Sequence, residues 1–74
     1  MKDFEIWIEG YLCTGMEGKP STAQFLGTEK ANSFREAVLI YYVRNPSRTF
    51  VPEKLEDWGC RLFDNEYDAR KSFG

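Results

Sequence analysis

The chain contains no histidine. That single absence removes the commonest general base at neutral pH, the commonest nitrogen ligand for metals, and the serine and cysteine triads built on imidazole. Cysteine is scarce as well. Cys13 and Cys60 lie far apart, cannot complete a structural zinc site without histidine, and read as two reduced thiols rather than a disulfide or a redox pair. The glycines at 10, 15, 18 and 27 match neither a dinucleotide-binding GxGxxG nor a P-loop, and no Gly-Lys-Ser/Thr triplet is present. There is no apolar run of the ~18 residues that a membrane helix needs. The N-terminal MKDFEIWIEG carries acids inside its apolar stretch and no cleavage-site pattern, so it does not read as a signal peptide. A cytoplasmic protein with no metal, no cofactor and no membrane contact is the expectation. A basic excess is missing too: 10 basic residues against 12 acidic ones give a net charge of −2 and a pI near 5.0. Direct nucleic-acid binding is disfavoured, because phosphate recognition needs concentrated positive charge.

Carboxylates are the remaining source of chemistry. Glu5 and Glu9 share a strand face, and Asp64, Glu66 and Asp68 gather at a helix start. Neighbouring acids can split their pKa values for acid–base work or hold a hard cation. Here they read as a solvated face and as charges matched to a helix dipole. The stretch DNEYD lacks the glycine and the distal glutamate of an EF-hand loop. No catalytic residue is assigned, and the chain is not read as an enzyme. Glu53, Glu56 and Asp57, beside Trp58 and broken by Lys54, read as a soluble acidic loop.

Aromatic residues are plentiful at 16 % of the chain, and large rings bury much area per residue. A core of that kind suits a single domain spanning residues 1–74, near the lower size limit for an independent fold. Residues 4–13 alternate, with Phe4, Ile6, Ile8 and Leu12 on one side and Glu5, Trp7, Glu9, Tyr11 and Cys13 on the other, which predicts a half-buried strand. A glycine-rich loop over 14–21 leads to a second strand over 22–31, with Gly27 as a bulge position. Ser33 and Glu36 form a capping box for a helix that Asn45-Pro46 closes. Phe34, Ala37, Val38 and Tyr41 make the stripe that should face the sheet. Leu39, Ile40, Tyr42 and Val43 extend the apolar surface further, so either the Phe50-Val51 segment or a second subunit of a homo-oligomer must cover it. Residues 46–57 read as an ordered loop. Trp58 to Phe63 reads as a third strand, followed by a short helix capped by Asn65, with Arg70 and Lys71 in its last turn and Gly74 beyond, the layout of a finished small domain. The predicted architecture is α+β, ordered β-β-α-β-α: a three-stranded, mostly antiparallel sheet with one long helix on one face and a short C-terminal helix.

The FEIWIEGY opening, the N-S-F-R-E-A helix start and the WGCRLFDNEYDARKSFG ending together resemble small proteins encoded in phages and prophages of Gram-positive bacteria. Those proteins carry a W-x-E-G-Y-like strand, a capped S-F-x-E-A helix and a W-G-C-R-L-F-D-N-E-x-D-A-R-x-S-F ending. The similarity covers nearly the whole chain outside residues 45–57. It supplies no catalytic residues. It implies a stoichiometric inhibitor or modulator of a bacterial enzyme or defence complex, with a host or competitor protein as partner.

The residues assigned to partner binding are Trp7, Tyr11, Glu5, Glu9, Tyr42 and Arg61, the aromatics as anchors in a partner's pocket. Arg61 either touches the partner or pairs with Glu5 or Glu9 across the sheet. Trp58 and Phe63 read as core ahead of contact. The alternative function is sequestration of a small, nucleotide-like molecule in a pocket at a subunit interface, which Arg44, Arg48 and Arg61 keep open. A structural, virion-associated protein is a third reading, without the repeats or coiled-coil pattern that would favour it.

Overall fold

A computed structural model describes residues 1–12, 20–21 and 23–73, apart from the side chains of residues 11, 12, 20, 21, 72 and 73. In chain order the elements are β1 (Lys2–Ile8), β2 (Tyr11–Leu12), β3 (Pro20–Ser21), β4 (Gln24–Ala31), α1 (Phe34–Arg44), β5 (Phe50–Val51), β6 (Glu56–Asp57), β7 (Cys60–Phe63) and α2 (Glu66–Phe73). The α+β class is as expected. The sheet, however, has five strands in the order β4-β1-β7-β6-β5, with β2 and β3 forming a separate two-stranded pair. All its pairings are antiparallel. The three longer strands overlap those expected from the sequence, but the first stops at Ile8 instead of running to residue 13, and the third starts at Cys60. Tyr11–Leu12 leaves the first strand to pair with Pro20–Ser21, inside the expected loop. The additional two, β5 and β6, come from the 46–57 segment that reads as loop. Each is two residues long, too short for alternation to register, and Pro46 and Pro52 mark the segment as irregular.

β1 lies between β4 and β7, and its alternation sets both faces. Ile6 is fully buried under α1, and with Val38, Tyr42 and Leu62 it forms the core. Along β4 the register slips between Ile6, opposite Gly27, and Trp7, opposite Phe25. The extra residue is Leu26, so the bulge falls beside Gly27 as predicted. The slip lets Leu26 pack against the core while Phe25 stays opposite Trp7. Gly27 faces Tyr41, whose ring a Cβ there would meet at 3.4 Å, an ordinary contact distance.

Helix α1 starts where the capping pattern places it. The amide of Glu36 donates to Ser33 Oγ at 3.2 Å, and Glu36 Oε1 accepts from the Asn32 amide at 3.4 Å. The reciprocal bond thus reaches one residue further back than in a standard capping box. Asn45 ends the helix, its amide donating to the Tyr41 carbonyl at 2.8 Å. The buried positions of α1 are Ala37, Val38 and Tyr42, so the buried stripe lies one residue round from that predicted and Tyr41 is only half-buried. For Tyr42, one residue of the surplus apolar face, cover comes from the same chain. The Phe50 ring stacks on Tyr42 at 4.0 Å, Leu55 packs against the core, and Arg35 donates to the Pro52 carbonyl at 3.2 Å. Val43 alone among these helix positions stays largely in solvent, 80 % exposed.

The short helix α2 is capped by Asn65, whose Oδ1 accepts from the Asp68 amide at 2.7 Å. Ala69 is fully buried where α2 packs beside β7 and β1.

Candidate functional site

Antiparallel partners point to the same side of a sheet, so the register assigns each residue a face. Ile8 pairs with Leu62, and Asp57 pairs with both Cys60 and Phe50, on the side covered by α1. The opposite side holds Asp3, Glu5 and Trp7 of β1, with Lys30, Thr28 and Phe25 of β4 across from them, and Glu9, just past the end of β1 and bonded to Arg61. It continues through Phe63 and Arg61 of β7, Glu56 of β6 and Val51 of β5. Asp3, Glu5, Phe25, Thr28, Lys30, Val51 and Arg61 are exposed there.

Three aromatic residues from three strands form a row across this face. Trp7 is opposite Phe25 on one side and Phe63 on the other. The Trp7 and Phe25 rings are 5.2 Å apart and tilted by 54°, and Phe25 is 51 % exposed. Carboxylates frame the row. Trp7 Nε1 donates to Glu5 Oε1 at 2.8 Å, which fixes the indole against the sheet. At the other end Glu9 and Arg61 interlock: the Arg61 amide donates to Glu9 Oε1 at 3.0 Å, Arg61 Nε lies 3.5 Å from Glu9 Oε2, and the Glu9 amide donates to the Arg61 carbonyl at 3.0 Å. The Arg61 guanidinium also lies 5.8 Å from the centre of the Phe63 ring. Of the two pairings open to Arg61, the one with Glu9 is formed.

Four of the six residues assigned from the sequence, Glu5, Trp7, Glu9 and Arg61, therefore share one surface. The Tyr11 side chain lies outside the described residues. Tyr42 is a correction. It is 8 % exposed on the opposite side of the sheet, stacked on Phe50, and its hydroxyl donates to Asp57 Oδ2 at 2.9 Å. A partner cannot reach it. Its place in the second, outward-looking set of helix residues made it look like surface, and the 50–57 segment folding back is what buries it.

Asp57 is the hub of that buried side. Ser47 Oγ donates to its Oδ1 at 2.8 Å, and Thr49 Oγ1 donates to the same oxygen. Burial pushes its pKa up, but the hydrogen bonds from Thr49, Ser47, Tyr42 and the Trp58 amide outweigh that and hold it below the ordinary carboxylate range. Burial, then the bond and charge of Asp57, push the Tyr42 phenol well above its usual value. Cys60, buried with no disulfide, is also pushed up, first by burial and then by Glu9, Asp57 and Glu56. These groups stabilise structure: a carboxylate saturated with donors and a thiol held protonated are both poor reagents.

Trp58 is a second correction. It lies outside the strand and outside the core, at the tip of the β6–β7 hairpin, 72 % exposed. Asp57 and Cys60 are paired, so Trp58 and Gly59 form a two-residue loop, with φ of +59° and +72°. Two left-handed residues in that position are the signature of a type I′ turn, which prefers Asn-Gly or Gly-Gly. A bulky residue there is strained. The Gly after Trp58 was the sequence signal for this turn, masked by the apolar run that follows it. Phe25 was missed for a different reason: only the bulge puts it opposite Trp7.

Among the described residues no group of His, Cys, Asp and Glu side chains is placed to hold a metal ion, and no helix is long and apolar enough to cross a membrane. No family model, curated protein or solved structure matches the chain.

Proposed function

We propose that this chain is a protein-binding module that acts by occupying its partner, as a stoichiometric inhibitor or modulator of a bacterial enzyme or defence complex in the cytoplasm. The observation that carries this reading is the Phe25–Trp7–Phe63 row on the sheet side opposite α1, with a half-exposed ring at its edge and carboxylates around it. Rings held by neighbours lose little freedom on docking, and aromatic anchors inside a polar rim are the usual energetic centre of a protein interface. The exposed Trp58 at its strained hairpin tip is a further contact of this kind. The bacterial setting rests on the resemblance of the opening, the helix start and the ending to phage and prophage proteins.

The experiment is affinity capture from a bacterial host lysate with the intact chain and with Phe25→Ala, Trp58→Ala and Val43→Ala. The expected result is one stoichiometric complex, lost with Phe25→Ala, weakened with Trp58→Ala and retained with Val43→Ala, all three variants keeping the far-UV spectrum of the parent. Capture of nothing, or capture equally indifferent to Phe25 and Trp58, refutes the reading.

A further inference from the structure

The matching of charges across the sheet surface opposite α1 points to the chemistry of the partner. Among the described residues of the strands and Glu9, four carboxylates, Asp3, Glu5, Glu9 and Glu56, lie there with two cations, Lys30 and Arg61. Asp3 has Lys30 opposite, and Arg61 has Glu9 and Glu56. Glu5 has Thr28 opposite, and it makes no ion pair among the described residues. It is exposed, and one of its oxygens accepts the Trp7 indole N–H at 2.8 Å. An ionised carboxylate has about four lone-pair sites, so most of its accepting capacity faces solvent.

The same surface contains a filled version of this arrangement. Arg61 sits with a carboxylate, Glu9, at 3.5 Å and with an aromatic ring, Phe63, at 5.8 Å from its guanidinium. Glu5 and Trp7 supply the carboxylate and the ring, with Phe25 tilted at 54° against the indole to hold it in place. We propose that Glu5 and Trp7 form a receptor for an arginine side chain on a segment of the partner protein. This deepens the protein-binding reading and rests on it. Arginine is favoured over lysine because its planar fork can donate twice to a carboxylate while its face lies on an indole, which an ammonium cannot do. Tryptophan is the strongest of the rings for such a contact. The acidic excess of the surface steers a basic segment toward it.

The test is a titration of the isotope-labelled full chain with a short blocked peptide carrying two arginines, and with its two-lysine counterpart, followed by NMR at the Trp7 indole N–H and the Glu5 and Thr28 amides. The arginine peptide should give saturable shifts confined to these positions. The lysine peptide should bind about tenfold more weakly, as should the arginine peptide to Glu5→Gln, a factor equivalent to ~1.4 kcal/mol. Glu5→Gln keeps shape and exposure, and an unchanged melting temperature separates lost binding from lost fold. Equal responses to the two peptides, no saturation by millimolar peptide, or indifference to Glu5→Gln overturns the receptor. So does a captured partner that depends on Phe25 but not on Glu5; that result leaves the module reading intact, whereas capture indifferent to Phe25 and Trp58 refutes the module itself.

Discussion

Replacing Tyr42 with Phe removes one hydroxyl and little else, which makes it the sharpest probe of how this small domain holds together. The ring, and with it the 4.0 Å stack on Phe50, is preserved. What is lost is the 2.9 Å bond to Asp57, which ties α1 to the β5–β6 hairpin. A hydrogen bond to a charged group contributes ~1.5–3 kcal/mol net. Asp57 keeps its donors from Ser47 and Thr49, so the carboxylate is not stranded and the low end applies, about 1.5 kcal/mol. For a domain of this size that lowers Tm by about 6–12 °C. Asp57→Asn should cost more, about 2–3 kcal/mol, because Tyr42, Ser47 and Thr49 all lose a charged acceptor and the new amide turns a donor toward one of them. The double variant should fall short of the sum by about 1 kcal/mol, the coupling of groups in direct contact. Urea unfolding of the four proteins, with a common m-value, measures all of this.

The sign with pH follows from the direction of each shift. Asp57 is held below its ordinary pKa, so its contribution is present above about pH 4 and is lost as pH falls through the lowered value. The parent and Asp57→Asn should therefore converge in stability toward acid. Tyr42 is raised, so its contribution is present below about pH 10 and is lost above it, a loss that Tyr42→Phe should not show. Costs of Tyr42→Phe and Asp57→Asn that add fully, or a Tyr42→Phe cost below about 0.3 kcal/mol, would refute the claim that this bond joins helix to hairpin.

Two other perturbations address separate parts of the molecule. Trp58→Asn converts the strained tip into an Asn-Gly type I′ turn, and should raise stability by about 1 kcal/mol in thermal unfolding while weakening capture of the partner. In a Cys13→Ser background, Cys60 should react with a thiol reagent far more slowly in the folded protein than after denaturation, because it is buried and its thiolate is disfavoured by burial and by Glu9, Asp57 and Glu56; equal rates would contradict its placement.

Legibility in the sequence followed the length scale of the signal. β1, α1 and the cap of α2 were readable because alternation, helical spacing and cap residues each span several positions and are fixed by local backbone chemistry. β5 and β6 were not readable: two-residue strands have no period, and only their pairing with each other and with β7 defines them. The burial of Tyr42 depends on Phe50 and Asp57, which are distant in sequence, and nothing local to the helix foretells it. For the site the same rule held. Glu5, Trp7 and Glu9 could be grouped because they alternate on one strand, and Arg61 because a charge in an apolar strand demands a partner. Phe25 needed the bulge, and Trp58 needed the turn, to be placed where they are.

The two sides of the sheet are built on different principles. Under α1, Asp57 accepts from three side chains, the Tyr42 hydroxyl is bonded, and no buried side-chain nitrogen or oxygen among the described residues is without a partner. Satisfaction of that kind favours one rigid arrangement. On the other side Arg61 is matched by Glu9, while Glu5 has a neutral residue opposite and Phe25 keeps half its surface in water. Stability alone gives no reason to leave a ring exposed at the edge of an aromatic row, or to hold a tryptophan at a hairpin tip where asparagine or glycine would relax the backbone. Both features make sense if their free energy is recovered on binding. The strongly coupled side then supplies the rigidity that keeps Glu5, Trp7 and Phe25 in register before a partner arrives.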